Sequence, residues 1–346
     1  MKEGEQILSS TGNLGISRRS YDRLYMNGTE FLEKPKIFQT SATRVAETAK
    51  RGRFSRIVFR GIVSADVMTH ISNEWSQHVE IAMPLEEFTG DKSWFVSLAH
   101  NTQGRDQIVD TTIMTAETAN KKEGITSPLV RIGNLANQGF SFSGRIEDSE
   151  VEQIYPLWGP TFGWDQEKKE VEALQHRLTA GRLIDPSQRN VWMSTVKDEN
   201  GYIAGLATAE LLSRPGENGG VDIVESTEWR VNPEYKGKGI MPTTIAMLNA
   251  QILSDLQESS NSGPLIYAEC NFASRADRVG SSAGFIIPDR GYAPQILVQN
   301  VAVGDGSMLK TPLRDFTFMY LPQEIIGVHY SPEQVTKMKS YLNNKV

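Results

Sequence analysis

Alternating and helical spacings of apolar residues divide the chain into a succession of strands and helices. Apolar runs rich in β-branched residues predict strands at 56–63, 78–83, 93–99, 142–146, 191–197, 202–212, 221–231, 265–270, 285–288 and 316–321. Apolar positions at helical spacing predict helices at 41–50, 65–75, 147–158, 167–183, 242–256, 273–283 and 331–346. Ser64 can cap the second helix, SPEQ opens the last one, and DENG at 198–201 predicts a hairpin.

A stretch poor in apolar residues separates two groups of elements. Residues 117–127 are polar and 133–144 are rich in Gly, Asn and Ser, so we place a boundary near residue 138. The expected organisation is an N-terminal α/β domain at 1–138, a larger α/β domain at 139–322 and a helical tail at 323–346. The strand-helix-strand-strand pattern at 55–100 recurs at 265–321 with little residue identity, which predicts an internal repeat.

Composition narrows the class of protein. The 346 residues are 39% hydrophobic and 23% charged, as in a globular protein and unlike a collagen, a coiled coil or a disordered chain. Lys and Arg number 36 against 42 Asp and Glu, and the net charge of -6 disfavours a protein that wraps nucleic acid. No apolar run of about 18 residues predicts a membrane span. We therefore expect neither nucleic acid nor a membrane as a partner.

The single cysteine and the scattered histidines bear on location and on metal binding. Cys270 cannot form an internal disulfide, and the polar N-terminus has no signal-peptide pattern, so we expect a cytoplasmic protein. The five histidines match no common metal-binding spacing, so no metal is expected. Cys270 ends a predicted strand with no histidine nearby in sequence, which favours a buried structural role over a nucleophile.

The segment from Glu225 to Met241 carries the clearest chemical signal. A predicted strand runs into Pro233, and the turn Tyr235-Lys236-Gly237-Lys238-Gly239 then opens a helix. Such a turn leaves backbone N–H groups at the positive end of a helix, where a pyrophosphate can bind, and its lysines add charge. The turn is neither GxxxxGK[ST], since Gly239 follows Lys238, nor the dinucleotide-binding GxGxxG, since Pro242 stands where the third glycine belongs.

The order of elements around this turn resembles the GNAT superfamily of N-acetyltransferases over residues 141–322. The shared order is a strand, PEYKGKGIM, a helix, the strand LIYAEC, Asn271, Ser274 and then Gly284-Phe285. The glycines match that family's Q/R-x-x-G-x-G/A acyl-CoA motif, with Glu234 in the Q/R position. The resemblance implies a GNAT-like mixed α/β fold, a central splayed sheet flanked by helices, preceded here by a smaller α/β domain like half of that fold.

The resemblance also implies an acetyl-CoA site. Backbone amides of the turn and of the helix start would bind the CoA pyrophosphate, and the end of the preceding strand would pair with the pantetheine arm. The residues it assigns to the cofactor are Trp229, Arg230, Val231, Lys236, Gly237, Lys238, Gly239, Ile240, Met241, Asn271 and Ser274. Family members often carry a tyrosine general acid four residues before the Gly-Phe pair. Gly280 stands there in this chain, so the acid is expected to be Tyr267, Tyr292 or solvent.

Within the superfamily, the chain looks most like the β-lysine N-acetyltransferase group. Glu225-Ser226-Thr227-Glu228-Trp229 matches that group's order of acidic, small, Thr, acidic and aromatic residues. Gln299-Asn300 matches its polar segment after the Gly-Phe strand. The resemblance implies that Thr227 and Asn300 contact the substrate.

Acetylation of an amine needs a group that binds an ammonium of pKa near ~10 and removes its proton. Glu225 and Glu228 are the expected catalytic carboxylates because they lie close to the cofactor turn. Strict alternation would put them on opposite faces of the strand, whereas a bulge would bring both toward the cleft. Trp164 lies past the periodic aromatic run that follows residue 147 and is the expected substrate contact, while that run is typical of core packing.

The expected activity is transfer of an acetyl group from acetyl-CoA to a small-molecule amine. The amine would be an amino acid or a diamino acid such as β-lysine, attacking directly with a glutamate as base. Two alternatives stay open: a different donor, either a longer acyl-CoA or an aminoacyl-tRNA, and a non-catalytic CoA-binding domain with a regulatory role. The N-terminal domain is open to two roles, dimerisation into a homodimer and a lid.

Overall fold

The computed structural model describes part of the chain. The described residues are 16–20, 23–27, 56–75, 79–101, 125–150, 152–154, 157, 191–213, 221–257, 263–271, 276–288, 296–298, 301–302, 308–309 and 314–343. The predicted helices at 41–50 and 167–183, and most of the one at 147–158, lie outside these residues.

Strands and helices alternate along the described chain. The strands are β1 (Ile16–Ser20), β2 (Arg23–Asn27), β3 (Arg56–Ser64), β4 (Val79–Pro84), β5 (Ser93–Asn101), β6 (Ser141–Ser143), β7 (Val191–Lys197), β8 (Ile203–Ser213), β9 (Ile223–Val231), β10 (Leu265–Asn271), β11 (Ile296–Val298), β12 (Val301–Ala302), β13 (Met308–Leu309) and β14 (Arg314–Tyr320). The helices are α1 (Ala65–Glu74), α2 (Glu86–Thr89), α3 (Pro128–Ala136), α4 (Ile240–Gln257), α5 (Ala276–Ser282), α6 (Gln323–His329) and α7 (Pro332–Asn343). The chain is therefore mixed α/β, as the sequence predicts.

Two compact units divide the chain. The first comprises residues 1–114 and 288–318, and the second comprises 115–287 and 319–346. The sheet of the first unit has the order β1-β2-β3-β5-β4. In it β1 and β2 are antiparallel, β2 and β3 are parallel, and β5 is antiparallel to both β3 and β4. Within the same unit, β11 pairs with the start of β14, and β12 pairs with β13.

The sheet of the second unit repeats this order. Strands β6, β7, β8 and β9 pair antiparallel in sequence, and β10 lies parallel to β9. The chain beyond β14 adjoins β10, since the Leu321 N–H donates to the Ile266 carbonyl, and Tyr320 forms an antiparallel bridge with Ile286. The succession β8, β9, β10, β14 and Ile286 thus parallels β1, β2, β3, β5 and β4.

Helix α4 forms the centre of the second core. Ten of its apolar side chains are buried around nearly its whole circumference, as expected of a helix covered on all sides. Those side chains are Ile240, Met241, Ile245, Ala246, Met247, Leu248, Ala250, Ile252, Leu253 and Leu256. The helix packs on β7 and β8 and against α3 and α7. Trp192 of β7 is fixed on it by an indole N–H that donates to Asp255 Oδ2 at 2.9 Å.

The units begin and end at other places than the expected boundaries. Helix α3 buries Ile132 and Leu135 in the same core as α4, so the second unit starts well before residue 138. Helices α6 and α7 also pack into this core, through Ile325 and Met338 among others, and do not form a separate tail at 323–346. Their sequence patterns show apolar faces but not the partner that covers each face.

The local start and turn signals are confirmed. Ser64 Oγ accepts the Val67 N–H at 3.4 Å, as a cap of α1. At α7 the Ser331 N–H donates to Gln334 Oε1 at 3.0 Å, and the Gln334 N–H donates to Ser331 Oγ at 3.4 Å, which is a reciprocal capping box. The hairpin between β7 and β8 closes with the Asp198 N–H donating to the Tyr202 carbonyl at 2.9 Å.

Some predicted elements differ from the structure. The strand predicted at 285–288 is reduced to the single bridge at Ile286. The strand predicted at 142–146 ends at Ser143, because Ser143 Oγ accepts the Arg145 N–H at 3.1 Å and turns the chain. Strands β1 and β2 and helices α2, α3 and α6 were not predicted at all. Among the described residues, no helix is both long enough and apolar enough to cross a membrane.

Gly205 of β8 provides a test of this packing, because helix α4 begins directly against it. A Cβ there would lie 2.5 Å from Ile240 Cγ2 and 2.9 Å from Thr244 Oγ1. We expect Gly205→Ala to lower the free energy of unfolding by about 1–3 kcal/mol, since the helix start must move away from the sheet. Urea unfolding measures this change.

Gly133→Ala is the matched control for that experiment. No atom lies within 4 Å of a Cβ at Gly133 in α3. Alanine favours a helix over glycine by up to about 1 kcal/mol, so this variant should be as stable as the parent or more so. Equal unfolding midpoints for Gly205→Ala and the parent would contradict the close approach of α4 to β8.

Candidate functional site

A bulge interrupts strand β9 where it pairs with β8. Thr227 lies opposite Thr208 and Arg230 lies opposite Leu206, so two residues, Glu228 and Trp229, face the single Ala207. Glu228 adopts a left-handed backbone with φ of 54°. Two residues against one, with the first in the left-handed region, is the geometry of a β-bulge. The bulge expected in this strand is therefore present, with Glu228 as its first residue.

The bulge changes which residues share a face of β9. Before it, Val224 packs in the helix-covered core, and after it Trp229 and Val231 pack against that same core. The register places Glu225, Thr227 and Arg230 on the opposite face. Glu228 Oε2 lies 3.6 Å from Arg230 Nη2. This ion pair holds the Glu228 carboxylate close to Arg230, which lies on the same face as Glu225.

Two carboxylate residues face each other across β8 and β9. Glu225 is directly opposite Glu210 in the register, and its side chain is 5% exposed. Glu210 is not among the sequence-predicted site residues, although the hairpin signal and the period of two in β8 carry the information that would place it opposite Glu225.

Strands β9 and β10 separate after three pairs of residues. Their parallel register runs from Ile223 with Leu265 to Glu225 with Tyr267. Both strands continue, to Val231 and to Asn271, without further pairing between them. Among the described residues, no strand pairs with the edge of β9 that faces β10 from Ser226 onward, so the backbone N–H and C=O groups of that edge have no strand partner there. This divergence confirms the expected splayed sheet.

The turn that follows β9 leads directly into α4. Gly237 and Gly239 have φ angles of 82° and 75°, a conformation that glycine adopts without strain. The Lys238 N–H donates to the Tyr235 carbonyl at 3.3 Å, and the Thr243 N–H donates to the Gly239 carbonyl at 3.3 Å. Within the described part of the chain, the backbone N–H groups of Gly237, Gly239, Ile240 and Met241 donate no hydrogen bond. These groups form a donor set at the positive end of an 18-residue helix.

A tyrosine tethers this turn to the β7–β8 hairpin. Tyr235 Oη donates to Asp198 Oδ2 at 2.6 Å, and the Tyr235 ring meets Phe140 edge to face at 5.8 Å. The hydrogen bond to Asp198 is the main reason why the pKa of Tyr235 rises to about 12. Burial alone would raise the pKa of Asp198, but hydrogen bonds from Tyr235 and from the Tyr202 and Asn200 N–H groups lower it below its usual value. Lys238 Nζ lies 5.0 Å above the Tyr235 ring.

The position where GNAT proteins often carry a tyrosine acid has no room for a side chain. A Cβ on Gly280 would lie 3.0 Å from Met319 Sδ and 3.3 Å from Trp229 Cζ3. Of the two tyrosines considered instead, Tyr267 is fully buried beside Glu225 in the register of β10 and β9. Tyr292 lies outside the described residues.

Comparison with known proteins gives distant likenesses only. No family model matches the sequence, and no curated protein matches it. A spermidine N-acetyltransferase from Vibrio cholerae, solved with CoA and spermine, is 15% identical with a TM-score of 0.36, covering 54% of this chain and 96% of its own. An N-acetyltransferase from Staphylococcus aureus Mu50 is 13% identical with a TM-score of 0.37, covering 53% and 98%. Salmonella typhimurium yncA, solved with acetyl-CoA, is 15% identical with a TM-score of 0.36, covering 53% and 94%.

The structure brings together most of the residues that the sequence singled out. Glu225, Thr227, Glu228 and the segment from Trp229 to Val231 lie on β9, and the turn residues from Lys236 to Met241 follow it directly. Asn271 ends β10. Trp164, Ser274 and Asn300 lie outside the described residues. Ser226 was missed as a contact: its Oγ accepts the Trp229 indole N–H at 2.9 Å.

Cys270 and the acidic residues bear on two other kinds of site. Cys270 is 1% exposed within the helix-covered core, which supports the structural role expected for it. Across the described ranges, no three His, Cys, Asp or Glu side chains are grouped in a way that could hold a metal ion.

Removing the hydroxyl of Tyr235 tests the tether. We expect Tyr235→Phe to speed amide hydrogen exchange at Lys236 and Lys238, whose N–H groups donate within the turn, because the turn loses its link to Asp198. The loss of stability should be no more than about 1 kcal/mol, since the bond is only partly buried. Tyr202→Phe is the control because Tyr202 is 60% exposed in the same hairpin. Exchange in Tyr235→Phe as slow as in Tyr202→Phe would argue against the tether.

Proposed function

We propose that residues 141–322 form a GNAT-type N-acetyltransferase that moves an acetyl group from acetyl-CoA to a small-molecule amine. The observation that carries this proposal is the open edge of β9. Within the described part of the chain, the strand from Ser226 onward is paired with β8 and with no strand on its other edge, and it leads into a turn whose N–H groups lie at the start of α4. An extended amide-containing arm that ends in a pyrophosphate matches both features.

The donor would bind along β9 and at the start of α4. The N–H groups of Gly237, Gly239, Ile240 and Met241 would receive the pyrophosphate, with charge from the exposed Lys236 and Lys238. The edge of Trp229, Arg230 and Val231 would pair with the amides of the pantetheine arm, as a neighbouring strand does. We also assign Asn271 and Ser274 to this side of the site, from the order of elements.

The acceptor would lie on the face of β9 that carries Glu225. The Glu225 carboxylate, with Glu210 directly opposite it in the register, would bind the ammonium of the acceptor. Thr227, on the same face and opposite Thr208, would contact the acceptor, as would Trp164 and Asn300. This acidic surface favours an amino acid or a diamino acid such as β-lysine, and it disfavours an aminoacyl-tRNA, whose phosphates would be repelled.

Direct transfer needs no covalent enzyme intermediate. Glu225 takes a proton from the ammonium, and the neutral nitrogen attacks the thioester carbonyl carbon. A backbone N–H in the stretch from Trp229 to Val231 stabilises the developing oxyanion. A C–N bond forms, the C–S bond breaks, and the nitrogen loses its second proton to the Glu228 carboxylate or to water. The CoA thiolate leaves and takes a proton from Tyr267 or from water.

Binding of acetyl-CoA tests the donor assignment. We expect isothermal titration to detect micromolar affinity in the parent protein. Replacing Lys236 and Lys238 together by Ala should weaken it by about tenfold, since each cation contributes on the order of 0.5–1 kcal/mol at such a site. Lys337→Ala, an exposed lysine of α7, is the control and should change nothing. If the parent protein does not bind acetyl-CoA at micromolar concentrations, the proposed function is contradicted.

Amide substitution of the carboxylates tests the chemistry. We expect Glu225→Gln to lower kcat by about 10²–10⁴-fold with diamino acid acceptors, because the base is lost, while acetyl-CoA affinity stays unchanged. Thiol release from acetyl-CoA measures this rate. Glu333→Gln, an exposed carboxylate of α7, is the matched control. Unchanged turnover in the double variant Glu225→Gln with Glu228→Gln would contradict the assignment of the base.

A further inference from the structure

The side chain of Trp229 stands where β9 and β10 separate. The parallel pairing ends at Glu225 and Tyr267, and the bulge turns Trp229 toward the helix-covered face of the sheet. The next residues of β10 on that face are Ala268 and Cys270, both small and buried. Trp229 is therefore the large side chain of β9 at the helix-covered side of the gap.

Three contacts hold the Trp229 ring in place. Its indole N–H donates to Ser226 Oγ at 2.9 Å. Its ring meets Phe285 edge to face, with centroids 5.5 Å apart. Its outer ring atoms Cζ3 and Cη2 lie 3.3 and 3.4 Å from the point where a Cβ of Gly280 would be. A ring with a hydrogen bond and two packed sides has little freedom to move aside.

The Trp229 ring packs closely against Gly280 because glycine has no side chain at that position. A Cβ on Gly280 would also lie 3.0 Å from Met319 Sδ, and Phe285 and Met319 are 1% and 0% exposed. The Trp229 ring therefore lies between the gap that separates β9 from β10 and the buried apolar side chains of Phe285 and Met319. On the side of Gly280 and Phe285 the ring meets buried protein, so a longer chain that extends toward these residues would have to displace the ring.

We propose that Trp229 is a specificity-determining residue that limits the length of the acyl chain on the CoA thioester. This inference rests on the proposed function, because it takes the gap between β9 and β10 as the place of the thioester. An acetyl group ends before the ring. Each added methylene meets the indole, whose displacement breaks the bond to Ser226 and the contact with Phe285.

Titration with S-alkyl-CoA thioethers tests this proposal without knowledge of the acceptor amine. The probes are CoA, S-ethyl-CoA, S-butyl-CoA and S-hexyl-CoA, and the readout is each Kd divided by the Kd for CoA in the same variant. In the parent protein we expect S-ethyl-CoA to bind like CoA and S-hexyl-CoA at least tenfold more weakly. In Trp229→Ala that tenfold penalty should disappear.

Two further variants keep the test decisive if Trp229→Ala does not fold. Trp229→Phe removes the outer indole ring that meets Gly280, and it should accept S-butyl-CoA while still penalising S-hexyl-CoA. Trp192→Phe, a tryptophan of the same core that is fixed on α4, should leave the parent profile unchanged. If the parent binds no CoA, the proposed function itself fails. If it binds CoA but tolerates S-hexyl-CoA, or if Trp229→Phe keeps the parent profile, the inference is overturned while the proposed function stands.

Discussion

The candidate site depends on strand β9 being paired fully on one side and only briefly on the other. Antiparallel pairing with β8 holds it as far as Val231, whereas parallel pairing with β10 ends at Glu225. A strand without a neighbour normally exposes unsatisfied N–H and C=O groups, which is a cost that a bound extended arm would remove. The bulge at Glu228 belongs to the same feature, because it adds twist just where β9 leaves β10.

Strand β9, Gly205 of β8 and Asp198 of the β7–β8 hairpin together fix the position of the turn before α4. Gly205 lets the start of α4 approach β8 more closely than any other residue would allow. Tyr235 links the turn to Asp198, so the β7–β8 hairpin fixes it from the other side. With both ends fixed, the N–H groups of the turn need little rearrangement to receive an anion, which is the condition for a preorganised site.

Local signals were readable from the sequence, and long-range ones were not. The cap at Ser64, the capping box at Ser331 and the bulge in the strand that carries Glu225 and Glu228 follow from nearby residues or from a chemical requirement. Helix α3 could not be recognised from the sequence, because Gly133 and Asn134 interrupt its helical pattern. Its apolar side chains stabilise the helix only through their contact with α4, which the sequence does not reveal. Strands β1 and β2 are short and contain several arginines, and no alternation in the sequence encodes the pairing of β1 with β2 or of β2 with β3. Likewise, no spacing rule places the Trp229 ring over Gly280.

The two units share an order of strands without sharing the features of a site. In the first unit the parallel pair β2 and β3 stays in register over five residue pairs, as far as β2 is described, whereas β9 and β10 separate after three. The segment that follows β2 begins Gly28-Thr29-Glu30 and lacks the two closely spaced glycines that follow β9. A sheet order can therefore be repeated for stability alone, because it buries apolar surface whichever residues follow the strands. What distinguishes the second unit is a strand that leaves its neighbour early and a turn built to present its N–H groups, and both properties come from a few residues between Glu225 and Met241.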